Sequence, residues 1–130
     1  MANQFVVQLK NQPGAMASLA EALAAAGVDL RAIGGGGIGD AGHVIMTTAD
    51  DEATRRILEA GDYTFIEGES ILAEVDDKPG GMAALARQLA DAGVNIYGHL
   101  FLGRWGDRAM FAFVVDNPDA ARPILERKSR

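Results

Sequence analysis

The chain has 130 residues, of which 48% are hydrophobic and 23% charged, so it is expected to be a soluble globular protein. Its formal net charge of −6 argues against a nucleic-acid partner, because a phosphate backbone would be repelled. Cysteine is absent and histidine occurs twice, which excludes disulfides and a thiol nucleophile and leaves too few ligands for a usual zinc site. With no targeting pattern and no run of about 18 apolar residues, we expect a cytoplasmic protein with no membrane partner, metal or cofactor.

The first half begins with a short β-type run, residues 4–9, followed by a Pro13-Gly14 pair that forbids further strand. Apolar residues then recur at helical spacing and predict a helix with one apolar stripe: Met16, Leu19, Ala20, Leu23 and Ala26. Gly27 ends this helix, where a left-handed residue is favoured. Strands are expected at residues 28–33 and 43–48.

Between these two strands, residues 34–42 read GGGGIGDAG and contain the spacing G-x-G-x-x-G of a dinucleotide-binding loop. Such a loop must open a helix, whereas a β-branched run follows here. A Gly-Asp pair between two strands is typical of a two-residue hairpin turn, so Gly39-Asp40 predicts a hairpin rather than a phosphate site. The glycines at 34–37 predict a thin strand edge that another backbone or a small ligand approaches closely.

A second helix follows in the first half, and its acidic start is interpreted as a cap. Asp50, Asp51 and Glu52 lie where carboxylates accept from free N–H groups and suit the helix dipole. These carboxylates are therefore not expected to be catalytic. Gly61 ends the helix, and residues 63–66 predict a fourth strand.

The second half repeats the first, since residues 11–30 and 77–96 are identical at eleven of twenty positions at a constant offset of 66. Its remaining elements follow the same order, with a turn at Gly106-Asp107 and a second helix begun by Asn117 and Pro118. Pro123 predicts that this helix is kinked, short or restarted there. The chain ends at the counterpart of Tyr63, so the second repeat lacks its last strand or takes one from elsewhere.

The order β-α-β-β-α-β, written twice, predicts an α+β protein of two ferredoxin-like units, each an antiparallel sheet with both helices on one face. We place the first domain at residues 1–68 and the second at 69–130. Because each half is small and buries little surface alone, we also expect the halves to pack together and the chain to form a homodimer. A dimer would cover the edge that lacks a strand.

The repeated segments resemble the signature of the ACT-domain family: Asn11-x-Pro-Gly-x-Met-x-x-Leu-x-x-x-Leu-x-x-x-Gly-Val-Asp and Asp77-x-Pro-Gly-x-Met-x-x-Leu-x-x-x-Leu-x-x-x-Gly-Val-Asn. The whole chain is similar to small tandem ACT proteins that carry no catalytic domain. The resemblance implies regulation by a small ligand, most often an amino acid. It also implies a ligand position between the loop after the first strand of one unit and the second strand of its neighbour.

Carried over by position, the resemblance gives eight candidate ligand-binding residues: Asn11, Gln12, Gly14, Asp29, Asp77, Lys78, Gly80 and Asn95. An amino acid needs acceptors for its ammonium group, which the Asp and Asn side chains offer, and donors for its carboxylate, which the start of the helix offers. The alternative is structural. Asn11 and Asp77 would then only cap the helix or form an Asx-turn, and the other polar candidates would be solvated surface residues. Family members that bind serine tend to have asparagine both in the loop and at the start of the second strand. Each half of this chain has one Asn and one Asp at these positions, so the identity of the ligand stays open.

Other residues are weaker candidates. His43 and His99 lack an obvious carboxylate partner and are interpreted as surface or hydrogen-bonded histidines. Trp105 is either a partner anchor or pocket lid, or a partly buried turn residue. Three alternating phenylalanines are interpreted as core: Phe101, Phe111 and Phe113.

The function expected from the sequence is a non-enzymatic sensor that binds an amino acid or similar metabolite. The rival hypothesis is a protein-interaction or oligomerisation module without a functional pocket. A hydrolase on the same fold is disfavoured, because the loop at residues 11–14 carries no basic anion clamp.

Overall fold

The computed structural model describes residues 2–126, and the chain divides into two compact units whose boundary lies between Gly68 and Glu69. Each unit consists of one antiparallel sheet and two helices. Across residues 2–126 no helix is long and apolar enough to cross a membrane.

The first unit contains the complete set of elements that the sequence predicts. They are β1 (Asn3–Lys10), α1 (Ala15–Ala25), β2 (Leu30–Ile38), β3 (Ala41–Thr48), α2 (Asp51–Ala60) and β4 (Phe65–Glu69). The sheet order is β2-β3-β1-β4, so β2 is an edge strand. Alternating side chains of β1 and β3 form the buried face under the two helices, where they pack on residues of the apolar stripes: Phe5, Val7, Val44, Met46, Leu19, Leu23 and Leu58.

The second unit repeats this arrangement with one strand fewer. Its elements are β5 (Ile71–Asp76), α3 (Gly81–Asp91), β6 (Ile96–Trp105), β7 (Arg108–Val115) and α4 (Pro118–Leu125). The sheet order is β5-β7-β6, which matches β1-β3-β2 and leaves the outer edge of β5 without the counterpart of β4 in the described part of the unit. Position 130, the counterpart of Tyr63, lies outside the described residues. The chain is therefore an α+β protein of tandem ferredoxin-like units, as predicted.

Both Gly-Asp pairs form the hairpin turns that the sequence predicts. Ile38 pairs with Ala41 and Trp105 pairs with Arg108, with two residues between the strands in each case. Gly39 has φ of +59° and Gly106 has φ of +61°, a conformation that glycine adopts without steric cost. The glycine-rich run is thus strand and hairpin, and no helix opens on it.

The capping prediction is confirmed for the second helix of each unit. The backbone N–H of Ala53 donates to Asp50 Oδ1 over 3.0 Å, and that of Ala120 donates to Asn117 Oδ1 over 3.2 Å. The helix with the internal Pro123 is short, with 8 residues against 10 in α2.

The prediction that Phe101 is a core residue is wrong, and of the two alternatives for Trp105 the partly buried turn residue is not the one found. Phe101 is 49% exposed and Trp105 is 61% exposed, whereas Phe113 is buried as predicted. Both exposed residues lie on β6, an edge strand of a three-stranded sheet. Alternating patterning assigned Phe101 to the face under the helices, but at an edge that face has fewer neighbours to cover it.

Candidate functional site

The loop between β1 and α1 leaves the start of α1 without a side-chain cap. Gly14 occupies the N-cap position with φ of +90°, and no side chain accepts from the first-turn N–H groups. This differs from α2, which Asp50 caps. The N–H of Ala15 donates to the carbonyl of Gln12 over 3.3 Å, whereas no acceptor for the N–H of Met16 is found among residues 2–126, so this second N–H can donate to an anion.

Asn11 connects this loop to the β2-β3 hairpin and does not cap α1. Its Nδ2 donates to the carbonyl of Gly39 over 2.9 Å, and its backbone N–H donates to the carbonyl of Asp40 over 3.0 Å. Since α1 has Gly14 at its N-cap and no side-chain cap hydrogen bond, the capping alternative for Asn11 is excluded.

The glycines of β2 are needed for close approach to neighbouring atoms. A Cβ at Gly35 would lie 2.3 Å from the carbonyl oxygen of His43, and a Cβ at Gly37 would lie 2.6 Å from Cγ of Asn11. Contrary to the expectation that they follow the strand, all four glycines at 34–37 lie inside β2. Their hydrogen bonds to β3 hold the run extended.

A cleft of about 380 Å³ lies between the first turn of α1 and the glycines of β2. Its apolar lining consists of Leu9, Met16, Ile33 and Val44, and its polar lining includes Asn11 and His43. Met16 and Ile33 are 42% and 43% exposed, so they form the rim. An apolar floor with a few polar groups at one end is the usual composition of a small-molecule site.

Gln12 lies beside a different, more polar cleft. This second depression, about 560 Å³, lies beside β1 and the segment before β4 and is lined by residues that include Gln8, Lys10, Gln12, Ser18 and Thr64. The structure therefore separates Gln12 from the cleft that Asn11 lines.

In the second unit, the counterpart of Asn11 is engaged by an arginine. Asp77 Oδ2 accepts from Nε of Arg104 over 2.8 Å, and the backbone N–H of Asp77 donates to the carbonyl of Asp107. Nζ of Lys78 lies 3.9 Å from Oδ2 of Asp76. Gly80 is the N-cap of α3, with φ of +89°, and like Gly14 it leaves its helix without a side-chain cap.

Asp29 and Asn95 lie far from these loops within their own units. Leu30 pairs with Thr48 and Ile38 pairs with Ala41, so Asp29 and the Asn11 loop are separated by the length of β2, about 26 Å. Asp29 forms an exposed ion pair with Arg31, whose Nε lies 3.1 Å from Oδ2. Asn95 donates its backbone N–H to Asp116 Oδ1 over 2.9 Å. The structure does not bring the two groups of candidates together inside one unit.

Sequence reasoning did not identify three residues that shape these sites. Met16 was assigned to the core stripe of α1, Ile33 to an ordinary strand end, and Arg104 was not singled out. For Met16 the available signal was position, since it lies two residues after the uncapped Gly14. For Ile33 and Arg104 no local signal exists, because their roles depend on which residues face them across the sheet.

No protein-family model matches the chain, and no curated protein matches it in sequence. Solved structures do match it. A protein of Bacteroides thetaiotaomicron is 20% identical with a TM-score of 0.71, covering 96% of this chain and 86% of that one. The regulatory subunit of aspartate kinase from Thermus flavus is 18% identical with a TM-score of 0.63, covering 96% and 90%. The ligand-free form of the corresponding Thermus thermophilus subunit is 18% identical with a TM-score of 0.61, covering 96% and 87%.

At these identities the likeness concerns the fold, and it extends over nearly the whole chain. It supports the resemblance drawn from the repeated Pro-Gly and Gly-Val motifs. The chain thus shares its fold, two ferredoxin-like units in tandem, with these solved structures.

Proposed function

We propose that this chain is a non-enzymatic regulatory protein that binds an amino acid in the cleft between α1 and β2 of the first unit. The observation that carries the proposal is the combination in one cleft of an apolar floor, the uncapped start of α1 and a glycine-lined strand edge. The names of the similar structures, regulatory subunits of aspartate kinase, support a regulatory role.

Each part of an amino acid has a complementary group in this cleft. The free N–H of Met16, at the start of α1, suits a carboxylate. Asn11 donates through Nδ2 to Gly39, which leaves its Oδ1 to accept from an ammonium group. Leu9, Ile33 and Val44 suit an apolar side chain.

The remaining candidates have supporting roles in the proposal. Gly14 gives the loop the left-handed turn that keeps a side-chain cap away from α1. Asp29 and Asn95 lie too far from the loops of their own units, so each joins such a site only when a neighbouring unit supplies it, as the resemblance implies.

The test is thermal unfolding of the protein in the presence of each of the twenty amino acids, followed by calorimetry on those that raise the midpoint. A ligand at 100 times its Kd stabilises the folded state by about 2.7 kcal/mol, which such a scan detects. Ile33→Glu puts a charge on the exposed rim of the cleft and is expected to weaken binding at least tenfold, about 1.4 kcal/mol. His99→Glu is the matched control, because His99 holds the corresponding register position in the second unit.

The rival function is a protein-interaction module. Normal unfolding with no stabilisation by any amino acid would favour it and contradict the proposal. Equal loss of binding in the Ile33→Glu and His99→Glu variants would place the ligand outside the cleft.

A further inference from the structure

We propose that the second unit carries a self-occluded counterpart of the cleft, closed by Phe101 and Arg104, so that each chain binds a single ligand, in the first unit. The inference rests on the proposed function for its stoichiometry, while the occlusion itself has a separate test. It follows from comparing the two sheets pair by pair.

The strand registers identify which residues correspond. In the first unit, Gly35 pairs with Val44 and Gly37 pairs with Gly42. In the second unit, the corresponding pairs are Phe101 with Phe111 and Arg104 with Ala109. Gly35, which lines the first cleft, and Gly37, which lies against the Asn11 side chain, are therefore replaced by the two largest side chains on the equivalent stretch of β6.

A bulge brings both side chains to the same face. Phe101 and Arg104 are three residues apart, which in a regular strand places them on opposite faces. The register of β6 on β7 shifts between Phe101 and Gly103, and Gly103 takes φ of +147° there. The extra residue turns Arg104 to the side of Phe101, which is the side that α3 and α4 cover.

The two side chains form a continuous cover over this part of the sheet. Cζ of Arg104 lies 4.8 Å from the ring centroid of Phe101, whose ring meets that of Phe111 edge-on at 5.5 Å. Arg104 also reaches across the central strand β7 to Asp77, the residue that follows β5. Its Nε donates to Asp77 Oδ2 over 2.8 Å. The Arg104 guanidinium therefore takes the place that the ammonium group of an amino acid would occupy. Asp77, the counterpart of the acceptor Asn11, is already bound to it.

The first experiment measures occlusion without any ligand. Since the chain has no cysteine, Ala109→Cys places a single thiol on the central strand beneath Arg104, where Ala109 is 4% exposed. Its reaction rate with methyl methanethiosulfonate is expected to rise about tenfold or more when Phe101→Gly and Arg104→Gly are added. Arg87→Ala, which removes an exposed ion pair on α3, is the control and should leave the rate unchanged.

An unchanged rate in the double variant would overturn the proposal. If the glycine variant does not unfold cooperatively, the pair Phe101→Ala and Arg104→Ala answers the same question with less backbone freedom. Occlusion is supported if the reaction rate rises in the double variant and stays unchanged in the Arg87→Ala control.

The second experiment measures stoichiometry by calorimetry with the amino acids that stabilise the protein. One equivalent per chain is expected for the natural sequence and two for the Phe101→Gly and Arg104→Gly variant. Two equivalents in the natural sequence, or loss of all binding on Arg104→Ala, would overturn the proposal, because Arg104 would then be a ligand contact. If no amino acid binds either protein, the proposed function fails, and the thiol rates alone decide whether the second cleft is occluded.

Discussion

At the scale of single residues, the glycines of β2 differ in whether an added Cβ would contact neighbouring atoms. Gly35 lies where a Cβ would come within 2.3 Å of a backbone oxygen, whereas nothing lies within 4 Å of a Cβ built on Gly36. Close contact with neighbouring atoms therefore requires glycine at Gly35 but not at Gly36.

This difference predicts opposite effects of two neighbouring substitutions. Gly35→Ala should lower the free energy of unfolding by about 1–3 kcal/mol, because the backbone of β3 must shift. Gly36→Ala should be neutral or stabilise by up to about 1 kcal/mol, because it only restricts the unfolded chain. Urea unfolding of both variants measures this, and equal destabilisation by the two would contradict the geometry.

A second residue-scale feature is the carboxylate of Glu67 in β4, which connects three parts of the first unit. It accepts two 2.7 Å hydrogen bonds from Nε and Nη2 of Arg55 and one of 2.8 Å from Nδ2 of Asn3. The hydrogen bonds from Arg55 lower the pKa of Glu67 below its ordinary value, against the opposing effect of burial.

A lowered pKa makes the stabilising contribution of Glu67 dependent on pH. The folded state holds the carboxylate ionised more strongly than the unfolded state does, so the contribution is complete above the unfolded pKa, about 4.3. It is lost as the pH falls through the lower pKa of the folded state. Glu67→Gln should therefore destabilise the protein at pH 7 and differ less from the natural sequence at pH 3.

Urea unfolding at the two pH values measures this effect. Glu52→Gln is the control, since Glu52 forms only an exposed pair with Arg56 on α2, and such pairs contribute little. A gap between Glu67→Gln and the natural sequence that persists undiminished at pH 3 would contradict the assigned role of the charge.

At the scale of elements, the four helices begin in two different ways. The first helix of each unit starts at a left-handed glycine without a side-chain cap, and the second starts at a capping Asp50 or Asn117. The uncapped starts follow the loops at which the resemblance places the ligand.

The capped helices give a direct prediction. Asp50→Ala should lower the free energy of unfolding by about 1 kcal/mol, because the N–H of Ala53 loses its acceptor. Glu52→Ala in the same first turn should change it by less than about 0.5 kcal/mol. Chemical denaturation of both variants provides the comparison, and similar losses would show that the cap bond is not what stabilises α2.

The elements themselves were largely predictable. Helical spacing, the Pro-Gly pairs and the Gly-Asp turns are local signals, and they predicted the order of all eleven helices and strands of residues 2–126. The ends of the strands were less predictable, since β2 continues through four glycines to Ile38 because β3 pairs with it. The cleft could not be predicted, because Met16 and Ile33 come together only through packing.

At the scale of the whole molecule, β5 is an edge strand, because no counterpart of β4 pairs with it within residues 2–126. Leu72 on this strand is 40% exposed, and an apolar unpaired edge is a site at which another chain can pair. We expect the homodimer to use it.

Leu72→Lys should then weaken the dimer at least about tenfold, because a charge on the edge opposes strand pairing. Tyr97→Lys on β6, with 42% exposure, is the matched control at the other edge of the same sheet. Sedimentation equilibrium measures both. A monomeric natural protein, or dissociation by Tyr97→Lys alone, would rule out the β5 edge as the interface.

The sequence by itself determined the duplication, the ferredoxin-like order of elements, the hairpin turns and the caps, because each depends on residues close together in the chain. Only the tertiary structure decided which side chains surround the equivalent positions of the two units. Gly35 and Phe101 hold the same position in the repeat, yet their effect depends on what faces them across the sheet. One extra residue in β6 rotated Arg104 onto the covered face, and the register of distant strands, which local pattern does not encode, set its contact with Asp77.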